Sequence, residues 1–110
     1  MDHLVNAGVD LIKVYTRVDP ALLRSVLDEA STFNAPVTGH LGLTDAVTAA
    51  NLGIASIEHM SGVPEAAVAD ASALYAAHRE GFFAGWTAFE HAWPSLDSAA
   101  LGRVAQALAE

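Results

Sequence analysis

Three short β-branched runs each carry one basic side chain that could take part in metal chemistry. The first run holds Lys13 in its middle, and the next two, residues 35–40 and 54–59, end on His40 and His59. The intervals of 27 and 19 residues between these side chains leave room for one helix each. Because the carboxyl ends of neighbouring parallel strands meet at one edge, the three side chains are expected to gather there.

The chemistry of these side chains favours a metal site over its alternatives. A single histidine at a strand end is more often a hydrogen-bonded structural residue, and a lysine within a strand is more often a solvated edge residue. Two histidines on successive strands with a lysine on the preceding strand change that balance, since imidazole is the usual ligand for zinc. A buried lysine near metal ions has its charged form disfavoured. The resulting neutral amine can take up carbon dioxide and become a carbamate that bridges two ions.

The segments between these strands have clear helix start and stop signals. Asp19, which precedes a proline, is typical of a helix cap, and Asn34 is a plausible stop for that helix. Asp45 opens the next helix and Gly53 closes it. Residues 1–7 have the character of the last turns of a further helix. This alternation of strand and helix predicts an α/β fold with parallel strands.

The second half of the chain contains no further strand signal. Pro64 marks the start of a further helix that Gly81 ends, and its apolar stripe includes His78, which is interpreted as a partly covered helix residue and not as a ligand. Residues 82–94 show no clean period and hold five of the eight aromatic residues. They are expected to form a loop that either walls a ligand pocket or covers the helix layer. A last helix is expected to begin at Ser95 or Asp97.

Composition excludes several classes of function. The 110 residues include 5 basic and 13 acidic side chains, for a net charge of −8, which argues against a nucleic-acid partner. The absence of cysteine rules out disulfides and thiolate chemistry. The 53% hydrophobic share includes 23 alanines, and no run approaches the roughly 18 to 20 apolar residues of a membrane span. No targeting segment is visible, so localisation is left open.

Residues 7–15, 37–40 and 50–59 together resemble the central strands of the metal-dependent amidohydrolase superfamily. The similarity is greatest to its imidazolonepropionase-like and prolidase-like branch, and it covers about residues 5–62. The later part is similar only in its order of helix, aromatic segment and helix. The resemblance implies that residues 1–110 form a single partial (β/α)8 TIM barrel domain. Its three β-α units would be the fourth to sixth of that barrel.

The resemblance also implies roles for individual residues. Lys13 would be carboxylated and would bridge two divalent ions, with zinc expected, while His40 and His59 would bind the second ion. Tyr15, two residues beyond Lys13 on the same face, would contact substrate or a developing oxyanion, or would cap the barrel interior. Glu58 precedes a ligand in the strand and is therefore expected to point the other way.

Two parts of the family's pattern are missing from this sequence. There is no His-x-His pair of the first strand, and no aspartate of the eighth strand to handle the proton of the attacking water. The sequence is therefore expected to be the central part of a longer hydrolase that acts on a small amide or dipeptide-like substrate. The isolated chain is expected to be inactive and to self-associate through its open sheet edges. The alternative function is a non-catalytic α/β binding or assembly module.

Overall fold

In the computed structural model, which describes residues 1–110, three short parallel strands form one open sheet. The strands are β1 (Ile12–Tyr15), β2 (Val37–His40) and β3 (Ser56–Ile57), and they lie side by side in chain order. The predicted α/β class and the parallel arrangement are confirmed. Both outer strands have a free edge, since β1 and β3 each pair only with β2.

Seven helices surround this sheet. They are α1 (Asp2–Asn6), α2 (Pro20–Thr32), α3 (Ala46–Leu52), α4 (Val63–Ala67), α5 (Ser72–Glu80), α6 (Phe82–Ala92) and α7 (Ser98–Ala109). A 3-10 turn at Trp93–Ser95 follows α6. None of these helices combines the length and the apolar character that crossing a bilayer requires.

Aspartate side chains cap three of the helices whose starts the sequence predicts, α2, α3 and α7. The carboxylate of Asp19 accepts from the Leu22 amide at 2.8 Å, and that of Asp45 accepts from the Thr48 amide at 2.9 Å. Asp97 does the same at the start of α7, so of the two expected starts the later is the real cap. Each such cap contributes about 1 kcal/mol, because it satisfies a helix amide that would otherwise lack a partner.

The two faces of the sheet have different environments. The second and fourth residues of β1, Lys13 and Tyr15, are exposed, while the other two are buried. The register places Lys13 beside Thr38 and Tyr15 beside His40, and residues in register share a face. The buried face packs on α2 and α3 in a core of seven residues: Ile12, Val14, Leu23, Ala30, Val37, Leu41 and Ala49. The polar face is therefore the one available for chemistry.

The third strand is shorter than residues 54–59. Its ladder covers only Ser56 and Ile57, and the chain then turns through His59 and Met60, whose φ angles are 59° and 57°. A left-handed conformation of this kind ends a strand, because it breaks the alternation of side chains across the sheet. The expected strand is correct in position and direction but not in length.

The helix predicted from Pro64 to Gly81 is wrong in its continuity. Two helices, α4 and α5, are separated by residues 68–71, and Val68 has an extended backbone with ψ of 159°. The Asp70 carboxylate accepts from both the amide and the hydroxyl of Ser72, at 2.9 and 2.6 Å. Such local bonding by aspartate competes with the helix backbone, and it starts α5 afresh.

The aromatic segment 82–94 is also not the loop that the sequence predicts. Residues 82–92 form α6, and Phe82, Trp86 and Phe89 follow one another at intervals of four and three. This is the spacing of one helix face, so a helical period is present in the aromatic residues alone. Phe83, Ala84 and Ala88 lie between them but off that face, so the period is hidden when all apolar residues are counted together.

Candidate functional site

Two histidines meet at the carboxyl edge of the sheet. His40 is the last residue of β2 and only 7% exposed, and its ring centre lies 5.1 Å from that of the exposed His59. In a regular strand, His59 and Glu58 would lie on opposite faces of the sheet. The backbone of His59 is left-handed, however, and this places its ring on the polar face. The structure thus brings together the two imidazoles that the sequence singles out.

Lys13 lies on the same face but is engaged by a carboxylate. Its Nζ atom lies 2.5 Å from Oε2 of Glu58, and the two side chains are 46% and 31% exposed. The expectation that Glu58 points away is therefore wrong, since Glu58 continues the β3 ladder: its backbone N–H donates a hydrogen bond to the Gly39 carbonyl. This places its side chain in the row of His40. The carboxylation of Lys13 stays a prediction.

The charges of this group shift two of its pKa values. The hydrogen bond from Lys13 is the main reason that the pKa of Glu58 lies below its ordinary value. Burial is the main cause that lowers the pKa of His40, and the neighbouring His59 and Lys13 lower it further. His40 is therefore held in its neutral form at pH 7, which is the form of imidazole that binds metal ions.

Helix α6 covers the imidazole of His40 with aromatic rings, one of which also lies beside the exposed ring of His59. The rings of Phe82 and Trp86 lie 6.0 and 5.6 Å from that of His40, and Trp86 lies 6.2 Å from His59. Tyr15 completes the enclosure from β1, with its ring 5.0 Å from His40. The cavity behind these rings measures about 10 Å³. That is close to the least volume that holds one water molecule.

A carboxylate–imidazole pair lies behind this enclosure and was missed by sequence reasoning. Nε2 of His78 lies 2.8 Å from Oε1 of Glu65, whose side chain is fully buried and whose other oxygen has no partner. The His78 side chain is 10% exposed, so it is a partly covered helix residue, as predicted. Its partner belongs to a different helix, and no spacing along the chain indicates the pair.

Glycine at position 85 makes room for this pair. A Cβ atom there would lie 2.3 Å from Nδ1 of His78 and 3.1 Å from its Cα. Since carbon and nitrogen atoms need more than 3 Å, α5 and α6 can approach this closely only because one of them carries no side chain at the crossing. The glycine thus sets the position of the aromatic helix over His40.

Two side chains of a type that can bind zinc lie together in this group. His40 and His59 offer two adjacent imidazoles, of which the buried one is held neutral. No group of three or more histidine, aspartate or glutamate side chains lies close enough to hold one ion. The other histidines that are exposed, His3 and His91, belong to α1 and α6. A complete site therefore requires Lys13, water or residues outside this group.

Comparison with protein-family models, curated proteins and solved structures finds no match to this chain. The amidohydrolase resemblance therefore stays a prediction from the residues of the three strands.

Proposed function

We propose that this chain is part of a metal-dependent amidohydrolase that hydrolyses amide or related carbon–nitrogen bonds. In this proposal β1, β2 and β3 are the fourth, fifth and sixth strands of a (β/α)8 barrel. The observation that carries the proposal is the pair of imidazoles, His40 and His59, which lie 5.1 Å apart at the ends of adjacent parallel strands. Lys13 on the same face is the third residue of the pattern.

Each residue of the group has a distinct task under this proposal. A divalent ion held by the imidazoles would supply Lewis-acid chemistry, which lowers the pKa of water and polarises a carbonyl. His40 keeps its lone pair free because burial lowers its pKa. Glu58 holds the Lys13 amine at 2.5 Å and must release it before that amine can form a carbamate. Tyr15 presents its half-exposed ring and hydroxyl to a substrate on the open face.

Zinc binding tests the proposal directly. Isothermal titration of the chain with Zn²⁺ at pH 7 should give stoichiometric binding. Replacement of either imidazole, by His40→Ala or His59→Ala, should weaken zinc binding roughly tenfold or more. His91→Ala is the matched control, because His91 is an exposed histidine on α6 and should leave binding unchanged.

The same titration decides between the proposal and a non-catalytic binding module. The covering of His40 by Phe82 and Trp86 favours the module, since it restricts access to the imidazole. A module has no reason to hold zinc through His40 and His59. Absence of stoichiometric zinc, or equal zinc affinity in wild type and His59→Ala, would overturn the hydrolase proposal.

A further inference from the structure

We infer that the open rings of Tyr15 and Phe82 form a subsite for an uncharged aromatic group of the substrate. The inference rests on the proposed function, because it concerns the part of an amide that lies beside the bond to be cleaved. It specifies the substrate class as amides with a planar aromatic side chain.

The rings are arranged as a regular row. Tyr15 and Phe82 are stacked with centres 5.9 Å apart and an angle of 22° between their planes. Phe82 and Trp86 continue the row at 6.2 Å and 20°. Stacked rings of this kind offer parallel faces, and a further ring gains from offset stacking on them. The row is therefore suited to a flat aromatic ligand more than to a branched aliphatic one.

The two rings at the end of the row are open to solvent. Tyr15 on β1 is 53% exposed and Phe82 on α6 is 41% exposed, so the two neighbouring rings form an exposed apolar patch. The space behind them, toward His40, is already closed apart from the cavity of about 10 Å³. A ligand must therefore lie on the solvent side of the row, where Tyr15 offers its free face and Phe82, between Tyr15 and Trp86, offers its exposed edge.

The distances suit an amide of an aromatic amino acid. The centres of the Tyr15 and Phe82 rings lie 5.0 and 6.0 Å from that of His40. In a phenylalanine derivative the carbonyl carbon lies roughly 5 Å from the ring centre, as the sum of successive carbon–carbon bonds allows. A ring stacked on the outer face of Tyr15 lies farther from His40 than Tyr15 does, so its carbonyl group can approach only the exposed imidazole, that of His59.

The charges nearby favour a group without charge. Lys13 and Glu58 lie on the same face as Tyr15 and neutralise one another through their 2.5 Å contact. Each remains partly exposed, so Lys13 disfavours a cationic ligand group and Glu58 disfavours an anionic one. An uncharged ring meets neither repulsion.

Binding of model amides to the metal-free chain tests this inference. The probes are N-acetyl-phenylalanine amide, N-acetyl-leucine amide and N-acetyl-lysine amide, followed by NMR titration. The aromatic probe should bind roughly three- to tenfold more tightly than the leucine probe, as expected for one aromatic stack. Tyr15→Ala and Phe82→Ala should each remove most of that preference. Phe82→Leu, which keeps apolar volume and guards against a folding defect, should remove it as well.

Phe83→Ala is the matched control, because Phe83 is also on α6 but is 82% exposed and stands outside the stacked row. The inference is overturned by equal binding of the aromatic and leucine probes, by tighter binding of the lysine probe, or by an equal loss in Phe83→Ala. Because the assay contains no metal, its outcome is independent of the zinc titration. Failure of the subsite is thus distinguishable from failure of the proposed function.

Discussion

Replacing Gly85 with alanine should lower the stability of the folded chain, although alanine is the better helix former. The added Cβ would lie 2.3 Å from Nδ1 of His78 and 3.1 Å from its Cα, and the second contact involves backbone that a rotamer change cannot move. Helices α5 and α6 must separate, and His78 must leave Glu65. The fully buried carboxylate of Glu65 then loses its one hydrogen-bond partner.

The expected magnitude combines two opposing terms. Breaking a buried ionisable pair by displacing one partner costs about 3–5 kcal/mol, while a glycine-to-alanine change inside a helix returns about 1 kcal/mol. The net loss in the free energy of unfolding should therefore be about 2–4 kcal/mol. The free energy of unfolding of a small domain falls by a typical amount per molar urea, so the urea concentration at the unfolding midpoint should fall by roughly 1–2 M.

Gly102→Ala is the control for this prediction. Gly102 also lies inside a helix, α7, but a Cβ there would meet nothing within 4 Å. This variant should gain up to about 1 kcal/mol from helix propensity alone. In a His78→Ala background the cost of Gly85→Ala should fall, because the closest contacting atom is gone.

Urea denaturation followed by far-ultraviolet circular dichroism and by tryptophan fluorescence measures both variants. Trp86 reports on α6 itself, which carries it over His40. A Gly85→Ala protein as stable as wild type, or a cost that persists unchanged without the His78 side chain, would refute this account of the helix crossing.

Three further predictions concern other parts of the molecule. Asp45→Ala should destabilise the chain by about 1 kcal/mol in urea unfolding, because it removes the cap of α3. Burial raises the pKa of Tyr75 to about 12, so in a Tyr15→Phe variant the remaining phenolate absorbance should appear near that pH. In the unfolded chain Tyr75 loses its proton near pH 10, at a lower pH than in the folded chain. The free energy of unfolding should therefore fall as the pH rises from about 10 to about 12, and this fall should be absent in Tyr75→Phe. The chain should self-associate in sedimentation velocity runs, and Leu11→Lys, at the exposed residue just before β1, should reduce this association; concentration-independent monomers would contradict it.

Local signals along the chain determined most of the elements. Asp19, Asp45 and Asp97 cap helices because a short acceptor before an amphipathic stripe satisfies amides wherever the helix lies in the fold. The strands follow from β-branched runs between such helices, and their parallel order follows from the helical crossovers. These features depend on neighbours within a few residues, so the sequence is sufficient to predict them.

The composition of the site was only partly predictable. That His40 ends a strand follows from the pattern, and the register then places it beside Tyr15. The face of His59 does not follow, since strand alternation gives the opposite answer to the left-handed turn that the chain makes there. The prediction for Glu58 was wrong for the same reason. It assigned the Glu58 side chain to the face opposite His59, whereas the register of the sheet places it on the face of His40.

Tertiary structure alone decided which elements cover the histidines and what holds them in place. The pairing of Glu65 with His78 joins two helices that the sequence represents as one, and it depends on Gly85 in a third. Such contacts arise from the angle and distance at which separate helices cross, which no local spacing encodes. The sequence by itself determined the three aspartate-capped helices, the positions of the strands and the residue types available for chemistry. The crossing of α5 and α6 decided that aromatic rings lie over the imidazoles, because close approach of two helices depends on the side chains that both present at the contact.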